Sequence, residues 1–379
     1  MTIRFISLPA RPAPIATTGL IGWIRLNLLS TPLNIGLTFL SLLLLYNIIP
    51  VSLNWLLFNA TWSGGDSSAC KITDANGNEV DAPGACWTFI RVRFLQLMFG
   101  LYYSGHTDQV WRPVLMFASL IALIIPLFIN GFRHKMKLGA IIIFVFPFFA
   151  FALVHGEWLG LPVASSDQWG GFMLTFMLAS VGIVAALPLG IVFALGRRSK
   201  MSIIRTISVF YIEMWRAAPL ITVLFMASNL LPLFFPAEVD FDKVARAMVG
   251  ITLFQSAYMA EAIRGGLQAI PRGQYEAADA MGMGYWKKNG LIILPQAMKV
   301  AIPGIVNTFI ELFKDTTLVL IIGLFDMLRM AEAAARSSNW KGYELEAYVF
   351  SAAIYFTCCY GMSKYSQHIE AKLHTGHKR

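Results

Sequence analysis

Polar and charged side chains are concentrated in one apolar segment near residue 310. They are Asn307, Glu311, Lys314, Asp315, Thr316 and Thr317. Glu311 lies three residues before Lys314 and four before Asp315, so the three charges can share one helix face. Charges inside a lipid-facing segment are costly and usually mark a ligand path or an internal pair. If Lys314 neutralises one carboxylate, the other can hold an ammonium group; the alternative is that these charges pair with a second subunit.

Two further pairs of polar residues lie in neighbouring apolar segments. Gln255 and Ser256 are adjacent and are weaker candidates for the same ligand path. Glu213 and Arg216 are three residues apart on a predicted helix, which is the spacing of a local ion pair. We interpret the first pair as part of the ligand path and the second as a structural pair.

The polar segment 261–299 separates two apolar runs and carries a second group of informative residues. Pro271 is expected to end the preceding helix. A short helix is then predicted from Tyr275 to Met281, within a unit that runs from about Gly273 to Gly284. Its small residues, which would let a second protein approach the backbone closely, are Ala277, Ala278 and Ala280. The segment therefore predicts a docking surface; the simpler alternative is an amphipathic loop on the membrane.

Glycine, proline and one carboxylate define the ends of this short helix. Gly282 and Gly284 suit a chain reversal that needs positive φ. Pro295 follows the apolar step Ile292–Leu294, where the chain is predicted to turn back to the membrane. Glu276 is predicted to lie in the first helical turn, where a carboxylate favours the positive end of the helix dipole. Such local capping, without any contact to a second protein, is the alternative interpretation of Glu276.

No motif for enzymatic chemistry occurs in the chain. The phosphate-binding pattern G-x-x-x-x-G-K-[ST] is absent, so nucleotide hydrolysis by that device would need a separate subunit. The patterns H-E-x-x-H and G-x-S-x-G and metal-spaced Cys/His clusters are absent as well. We therefore expect no catalytic residue, no metal site and no cofactor in this chain.

The composition indicates an all-α integral membrane protein. Hydrophobic residues make up 57% and charged residues only 13%, whereas about a quarter of a soluble protein is charged. Segments of about 20 apolar residues, long enough to cross a bilayer, occur roughly at 34–58, 113–130, 138–154, 171–195, 208–235, 244–263, 300–327 and 346–362. Lys and Arg cluster beside these eight segments rather than in a basic stripe with aromatics, so the net charge of +9 does not indicate nucleic-acid binding.

The stretch Trp87–Tyr103 is apolar but is not expected to be a ninth span. It contains Arg91 and Arg93, and an arginine at the bilayer centre costs about 2.5–3.5 kcal/mol. A helix along the outer surface, with both arginines reaching the lipid headgroups, fits better.

The distribution of basic residues predicts the orientation. With eight spans and residues 1–33 as a cytoplasmic tail, most Lys and Arg fall on the inner side, and both termini are cytoplasmic. A ninth span would reverse this pattern. Three early prolines and scattered arginines argue against a secretory signal in the tail. A helix on the lipid surface at Leu20–Leu29 is the alternative for its last part.

Two cysteines lie in the large outer loop, at about residues 59–112. On this topology Cys70 and Cys86 face an oxidising compartment, where a disulfide can form. The spacing alone is weak evidence, so two unpaired thiols are the alternative.

The segment 276–295 resembles the signature E-A-A-x-x-x-G-x9-I-x-L-P of binding-protein-dependent ABC importer permeases. The matching residues, with the full spacing, are Glu276, Ala277, Ala278, Gly282, Ile292, Leu294 and Pro295. Residues that resemble the polar amino-acid branch of this family are Trp215-Arg216, Pro219-Leu220, Tyr258, Ala260-Glu261, Arg264-Gly265-Gly266, Gly273-Gln274 and Lys314-Asp315-Thr316. The resemblance covers about residues 165–365.

The resemblance implies the fold class and the domains. Residues 165–365 would form the five-span core of a type I ABC importer permease, with the cytoplasmic coupling loop at 261–299. Residues 34–164 would add three N-terminal spans and the outer loop, as in the longer permeases of general L-amino-acid systems, and residues 366–379 would form a cytoplasmic tail. Coupling to the ATPase would involve Gly273, Gln274, Glu276, Ala277, Ala278, Gly282 and Pro295.

The resemblance also implies a function and its partners. The chain would be a transport subunit for L-amino acids in the bacterial cytoplasmic (inner) membrane. Its partners would be two ATPase subunits that bind ATP and Mg²⁺, a second and paralogous permease, and a periplasmic solute-binding protein. The alternative is an ion- or proton-coupled secondary transporter that uses Glu311 or Asp315 as a relay, although the paired broken helices typical of such transporters are not evident.

Overall fold

The computed structural model describes residues 19–73, 79–129, 132–236 and 242–374. Residues 1–18 of the predicted N-terminal tail and residues 375–379 of the predicted C-terminal tail lie outside this described part. The chain divides into two compact units, residues 1–88 and 89–379. The predicted domain boundary between residues 164 and 165 therefore falls inside the second unit.

The first unit contains one long apolar helix. It begins at Pro32, and Thr31 caps it by accepting a hydrogen bond from the Asn34 N–H at 3.2 Å. No residue of this helix is buried. A helix that is apolar on all sides and exposed within its own protein suits a lipid environment. The helices of this unit are α1 (Gly19–Asn27) and α2 (Pro32–Leu53), and a π-helical turn follows at Asn54–Phe58.

A disulfide closes the outer loop of the first unit. Cys70 and Cys86 are bonded, their Cα atoms are 5.7 Å apart, and each residue is 1% exposed. Between them, strands β1 (Lys71–Thr73) and β2 (Glu79–Asp81) pair in antiparallel fashion. The loop is thus held by a covalent bond and a short hairpin rather than by a large core.

Asp66 begins the short 3₁₀ turn Ser67–Cys70 that leads into this hairpin. The Ser68 hydroxyl donates to the Asp66 carboxylate at 2.5 Å and the Ser68 N–H donates at 3.1 Å. These bonds, the hydroxyl first, hold the pKa of Asp66 below its usual value. The carboxylate therefore stays ionised and keeps capping the turn under mildly acidic conditions.

Replacing Cys86 with serine is expected to loosen the outer loop. A closed loop of about 15 residues stabilises a folded protein by about 3 kcal/mol on the chain-entropy model. The Cys86→Ser protein should therefore be cleaved faster within residues 59–88 by an added protease. The free thiols Cys358 and Cys359 serve as the positive control for maleimide labelling. Labelling of Cys70 and Cys86 in unreduced, unfolded wild-type protein would contradict the disulfide.

The rest of the chain is mainly helical. The helices are α3 (Trp87–Phe99), α4 (Leu101–Gly105), α5 (Trp111–Phe128), α6 (Lys135–Phe144), α7 (Phe146–His155), α8 (Gly171–Arg197), α9 (Ser202–Ala217), α10 (Leu220–Asn229), α11 (Lys243–Gln268), α12 (Arg272–Ala280), α13 (Tyr285–Lys288), α14 (Leu294–Asp315), α15 (Met327–Ala335) and α16 (Glu344–His374). A two-residue strand, β3 (Phe325–Asp326), precedes α15.

Helices α8 and α11 form the centre of the second unit and are in close contact. Glycines in α8 permit this approach, because a Cβ at Gly190 would lie 2.6 Å from Met259 Cγ, and one at Gly182 would lie 2.8 Å from Ile251 Cγ2. Helices α9, α10 and α14 pack around α11. The central pair therefore determines where the side chains of α11 and α14 meet.

The segments on the two sides of residue 164 share one core. Trp169, which is 1% exposed, packs in the same apolar cluster as Tyr103, Met116 and Leu153. The Arg112 guanidinium, which is fully buried, donates to three backbone carbonyls at 2.7–2.9 Å. This shared packing explains why the compact unit extends from residue 89 across the predicted boundary.

Several helices of the described residues are suited to a bilayer. Three are long and apolar enough to cross alone, at Pro32–Phe58, Thr107–Leu127 and Gly171–Arg197. The bent pairs α6–α7 and α9–α10 would bring this number to five. Helices α11, α14 and α16 have 26, 22 and 31 residues, which exceed the length of a bilayer crossing, but they carry more charges. Each of the eight predicted segments thus overlaps at least one helix.

Three of the predicted spans are not continuous helices. The segment 138–154 is divided between α6 and α7, which meet at an angle of 40°. The segment 208–235 is broken, because α9 and α10 meet at an angle of 102°. Ala218 at the break is extended and precedes Pro219, as expected for a residue before proline. In the segment 300–327, α14 ends at Asp315 and a 3₁₀ helix continues to Ile322. The sequence predicted these apolar segments as spans, and the structure shows where each of them is interrupted.

Helix α3 lies where a surface helix was predicted. It has 13 residues, which is fewer than a span needs. Arg91 is exposed, but Arg93 donates to the side chains of Gln96 and Ser337, each at 3.3 Å. The prediction that both arginines reach the headgroups was thus wrong for Arg93, which instead joins α3 to the segment after α15.

Candidate functional site

Helices α11 and α14 enclose a small cavity that contains both signs of charge. Its volume is about 230 Å³, and the residues that line it are Phe254, Gln255, Tyr258, Glu311, Lys314 and Asp315. The first three lie on one face of α11, and the charged three lie at the end of α14. The lining therefore carries two carboxylates and one ammonium, which suits a ligand with a positively charged group.

Gln255 connects the two helices beside this charged cavity. It is 2% exposed, and its side-chain amide donates to the Thr308 carbonyl at 2.6 Å. Glu311 and Lys314 are exposed, whereas Asp315 is half-buried. The structure thus brings together three of the predicted path residues: Gln255, Glu311 and Asp315.

The other three predicted path residues do not line the charged cavity. Ser256 is buried and hydrogen-bonded to the Tyr211 hydroxyl at 2.7 Å, so it faces α9. The Thr316 hydroxyl is buried and donates to the Phe313 carbonyl at 2.8 Å. Asn307 is exposed, one helical turn before Glu311. The structure therefore gives Ser256 and Thr316 local structural contacts instead of a place in the cavity wall.

A cluster of charges, the arginine cluster, joins the ends of α8, α9 and α11. The Glu261 carboxylate is 3.0 Å from Arg197, 2.7 Å from Arg264 and 3.9 Å from Arg216. Arg197 also contacts Glu213 at 2.8 Å. Arg216 therefore does not pair with Glu213, and the local pair predicted from their spacing is replaced by contacts between helices.

The arginine cluster is connected to the charged cavity through one aromatic ring. The Arg216 guanidinium lies over the ring of Tyr258, 5.6 Å from its centre, and Tyr258 lines the cavity. The sequence did not predict that Tyr258 lines the cavity or that Glu261 holds the arginine cluster together. The sequence feature that could have indicated this is their spacing, because residues three apart on α11 share one helix face.

The short helix predicted in the polar segment 261–299 is α12. Its end forms a Schellman motif, in which Met283 N–H donates to the Ala278 carbonyl at 3.1 Å and Gly282 N–H donates to the Asp279 carbonyl at 2.9 Å. Gly282 has a φ of 70°, as predicted, whereas Gly284 has a φ of −66° and is extended. The prediction of positive φ was therefore wrong for Gly284.

One side of α12 is exposed along its whole length. Ala278 is 1% exposed and faces the protein. The candidate coupling residues that are exposed are Gly273, Gln274, Glu276, Ala277 and Gly282, together with Pro295 in the first turn of α14. The helix begins at Arg272, and its first turn contains no acidic residue. Glu276 therefore lies beyond the first turn. The prediction that its carboxylate interacts with the positive end of the helix dipole was wrong.

Two contacts attach α12 to the membrane helices, and a third attaches it to α13. The Arg198 guanidinium at the end of α8 donates to the Tyr275 hydroxyl at 2.9 Å. Gln296 in α14 donates to the Gln274 side chain at 3.2 Å. Lys288 forms an ion pair with Asp279. A displacement of α12 would therefore act on α8 and α14 together.

Comparison with known proteins identifies the family. Residues 186–373 match the family described as binding-protein-dependent transport system inner membrane component. The chain is also 47% identical, over 376 residues, to the inner membrane amino-acid ABC transporter permease protein YhdY of Escherichia coli, with 99% of each chain covered. The chain belongs to this family. It is therefore a component of a transport system and a multi-pass protein of the inner membrane.

A second relative and a solved structure give further comparisons for this inner membrane component. It is 40% identical over 435 residues to the glutamate/glutamine/aspartate/asparagine transport system permease protein BztC of Rhodobacter capsulatus, again with 99% of each chain covered. The crystal structure of an amino acid ABC transporter with histidines is 30% identical, with a TM-score of 0.47, over 53% of this chain and 92% of that one.

The candidate site features of this inner membrane component lie within the segment that matches the family. The charged cavity, the arginine cluster and α12 all fall between residues 186 and 373. Helices α1 to α7 precede that segment. The first two relatives match over 99% of this chain, so they share the N-terminal part as well.

Proposed function

We propose that this chain is the membrane-spanning permease of an ATP-driven importer for L-amino acids. The observation that carries the proposal is α12, a short helix between α11 and α14 that ends in a Schellman glycine and exposes one side along its length. Such a helix can dock in a second protein and shift without unfolding either neighbouring helix.

The charged cavity supports an amino acid as the substrate class. Every free amino acid carries an ammonium and a carboxylate, and the lining presents Glu311 and Asp315 beside Lys314. The relatives named above are described as permeases for amino acids. We infer that the two carboxylates hold the substrate's ammonium group during passage between α11 and α14.

The transport step follows from the contacts of α12. Closure of two ATPase subunits, which bind ATP and Mg²⁺, would displace α12 as a rigid body. Tyr275 and Gln274 would pass this displacement to Arg198 at the end of α8 and to Gln296 in α14. Since α14 carries Glu311 and Asp315, the displacement changes access to the charged cavity. A periplasmic solute-binding protein would deliver the substrate, and a paralogous permease would complete the path.

Orientation follows from the same proposal, because α12 must lie on the cytoplasmic side to meet an ATPase. Both termini would then be cytoplasmic, and the disulfide-closed loop would face the periplasm. A reporter enzyme that is active only in the cytoplasm should be active when it is fused after Gly131. A reporter enzyme that is active only in the periplasm should be active when it is fused after Ala60. A periplasmic signal from the Gly131 fusion would contradict the eight-span topology.

The energy source separates the proposal from its alternative, a secondary transporter with Glu311 or Asp315 as a relay. Uptake of a labelled amino acid is measured in cells that have been depleted of ATP while their proton gradient is maintained. We expect uptake by this system to cease. Uptake that continues without ATP and stops on adding a protonophore would favour the secondary transporter.

A further inference from the structure

A second cavity of about 980 Å³ lies beside α12. Arg198 and Tyr275, which belong to the transport step above, line it, but that step gives the cavity no ligand. We call it the basic pocket. It is bounded by the end of α8, the start of α9, helix α12 and the segment Tyr285–Leu294. Apolar side chains such as Ile191, Leu195 and Ile204 line one part, and Arg198, Lys200 and Lys288 line another. The pocket is therefore amphipathic.

The charge of the basic pocket is positive. Lys288 is paired with Asp279. Within the described part of the chain, Arg198 donates to two neutral oxygens, at 2.6 Å from the Leu267 carbonyl and 2.9 Å from the Tyr275 hydroxyl. Lys200 is exposed. No Asp or Glu is among the described residues that line the pocket. Two cationic groups are thus available for an anion.

The basic pocket adjoins an apolar exposed surface. Ile204 lines the pocket, and Ile207, one turn further along α9, is 59% exposed. Ile203 and Phe210 share that exposed side. Trp286, which is 78% exposed, also lines the pocket, and tryptophan favours the headgroup level of a membrane. An occupant would therefore enter from the lipid rather than from water.

We propose that the basic pocket binds one anionic phospholipid of the cytoplasmic leaflet. Its phosphate contacts Arg198 and Lys200, and an acyl chain lies along Ile191, Leu195 and Ile204. Basic pockets between membrane helices on the cytoplasmic side favour such headgroups. The proposal goes beyond the transport function and uses only the cytoplasmic orientation of α12.

The bound lipid has a consequence for coupling. Tyr275 of α12 forms part of the pocket wall and accepts the hydrogen bond from Arg198. A lipid phosphate beside Arg198 restrains this contact between α8 and α12. The lipid therefore stabilises the position of the helix that docks with the ATPase.

Lipid binding is measured by native mass spectrometry of the full transporter complex, after exchange into phosphatidylcholine with increasing phosphatidylglycerol. Lys200→Gln should lower the affinity for phosphatidylglycerol about fivefold and leave that for phosphatidylcholine unchanged. Gly290→Leu should exclude the lipid, because Gly290 lines the pocket and a Cβ there meets no atom within 4 Å. Arg205→Gln is the matched control, since Arg205 is an exposed cation of α9 outside the lining.

Three results would overturn the proposal. The first is equal retention of phosphatidylglycerol by wild type, Lys200→Gln and Gly290→Leu. The second is displacement of the bound species by inorganic phosphate alone, which would indicate a soluble anion. The third is loss of the ATPase subunit from both variants with unchanged lipid retention, which would make the pocket a subunit contact. Because the readout is lipid mass, it is independent of whether the complex transports amino acids.

Discussion

Replacing Gly282 with valine is expected to lower ATP-dependent amino-acid uptake at least about tenfold, since a left-handed backbone costs an L-residue roughly 1–2 kcal/mol and a β-branched residue more. Gly282 has a φ of 70° at the end of α12. The valine would break the Schellman hydrogen bonds to Ala278 and Asp279 and change the direction of the chain after α12. Insertion into the membrane should be normal, because no long helix is altered.

The neighbouring glycine provides a matched control. Gly284 is also exposed, and a Cβ at either glycine meets no atom within 4 Å. Its φ of −66° and ψ of 162° are extended, a conformation that valine adopts readily. Gly284→Val should therefore keep most of the uptake. Gly282→Asn should recover part of it, because asparagine tolerates the left-handed region.

Uptake and co-purification together decide how Gly282 acts. Loss of the ATPase from Gly282→Val indicates weakened docking, and a retained ATPase that hydrolyses ATP without uptake indicates uncoupling. Equal uptake by wild type and Gly282→Val, with the ATPase attached, would show that α12 is not the coupling element.

Neutralising the carboxylates of the charged cavity is expected to lower transport about ten- to hundredfold, the range for losing a hydrogen bond to a charged group. The variants are Asp315→Asn and Glu311→Gln. Both residues line the cavity, and neither is fully buried. The mutant complexes should therefore assemble with their ATPase normally while the rate of amino-acid uptake falls.

Lys314→Gln distinguishes a substrate contact from an interface contact. It removes the one cation among the described residues that line the charged cavity and leaves both carboxylates. If the carboxylates hold the substrate's ammonium, this variant should still assemble and should not reproduce the loss seen in Asp315→Asn. If the three charges pair with a second permease, all three variants should lose assembly together. Wild-type kinetics of amino-acid uptake in both Asp315→Asn and Glu311→Gln would show that these carboxylates have only a structural role.

Local sequence patterns predicted much of the structure of the segment around α12. Pro271, the EAA signature and Gly282 specify a helix and its end within a few residues, because capping and left-handed glycine depend on neighbouring residues. The break at Pro219 was also visible in the sequence, since proline restricts the residue before it. The hydropathy pattern alone does not show this break, because apolar residues continue on both sides of it.

Contacts between distant segments were not predictable in the same way. The spacing of Glu213 and Arg216 suggested a local pair, but Arg197 and Glu261 compete for both side chains once α8, α9 and α11 pack together. Likewise, α14 ends at Asp315 although its apolar pattern continues, and the chain turns at Gly323 with a φ of 78°. Tertiary packing determines these ion pairs and the end of α14, and a local sequence pattern does not predict tertiary packing.

We propose that ATP hydrolysis on the α12 side of the membrane drives amino-acid passage through this permease. The purified permeases and ATPase subunits are reconstituted into liposomes with ATP and Mg²⁺ trapped inside, and solute-binding protein with labelled amino acid is added outside. Uptake should require internal ATP, persist with a protonophore present and disappear in Gly282→Val. Accumulation without ATP, driven by an imposed proton or sodium gradient, would contradict the claim.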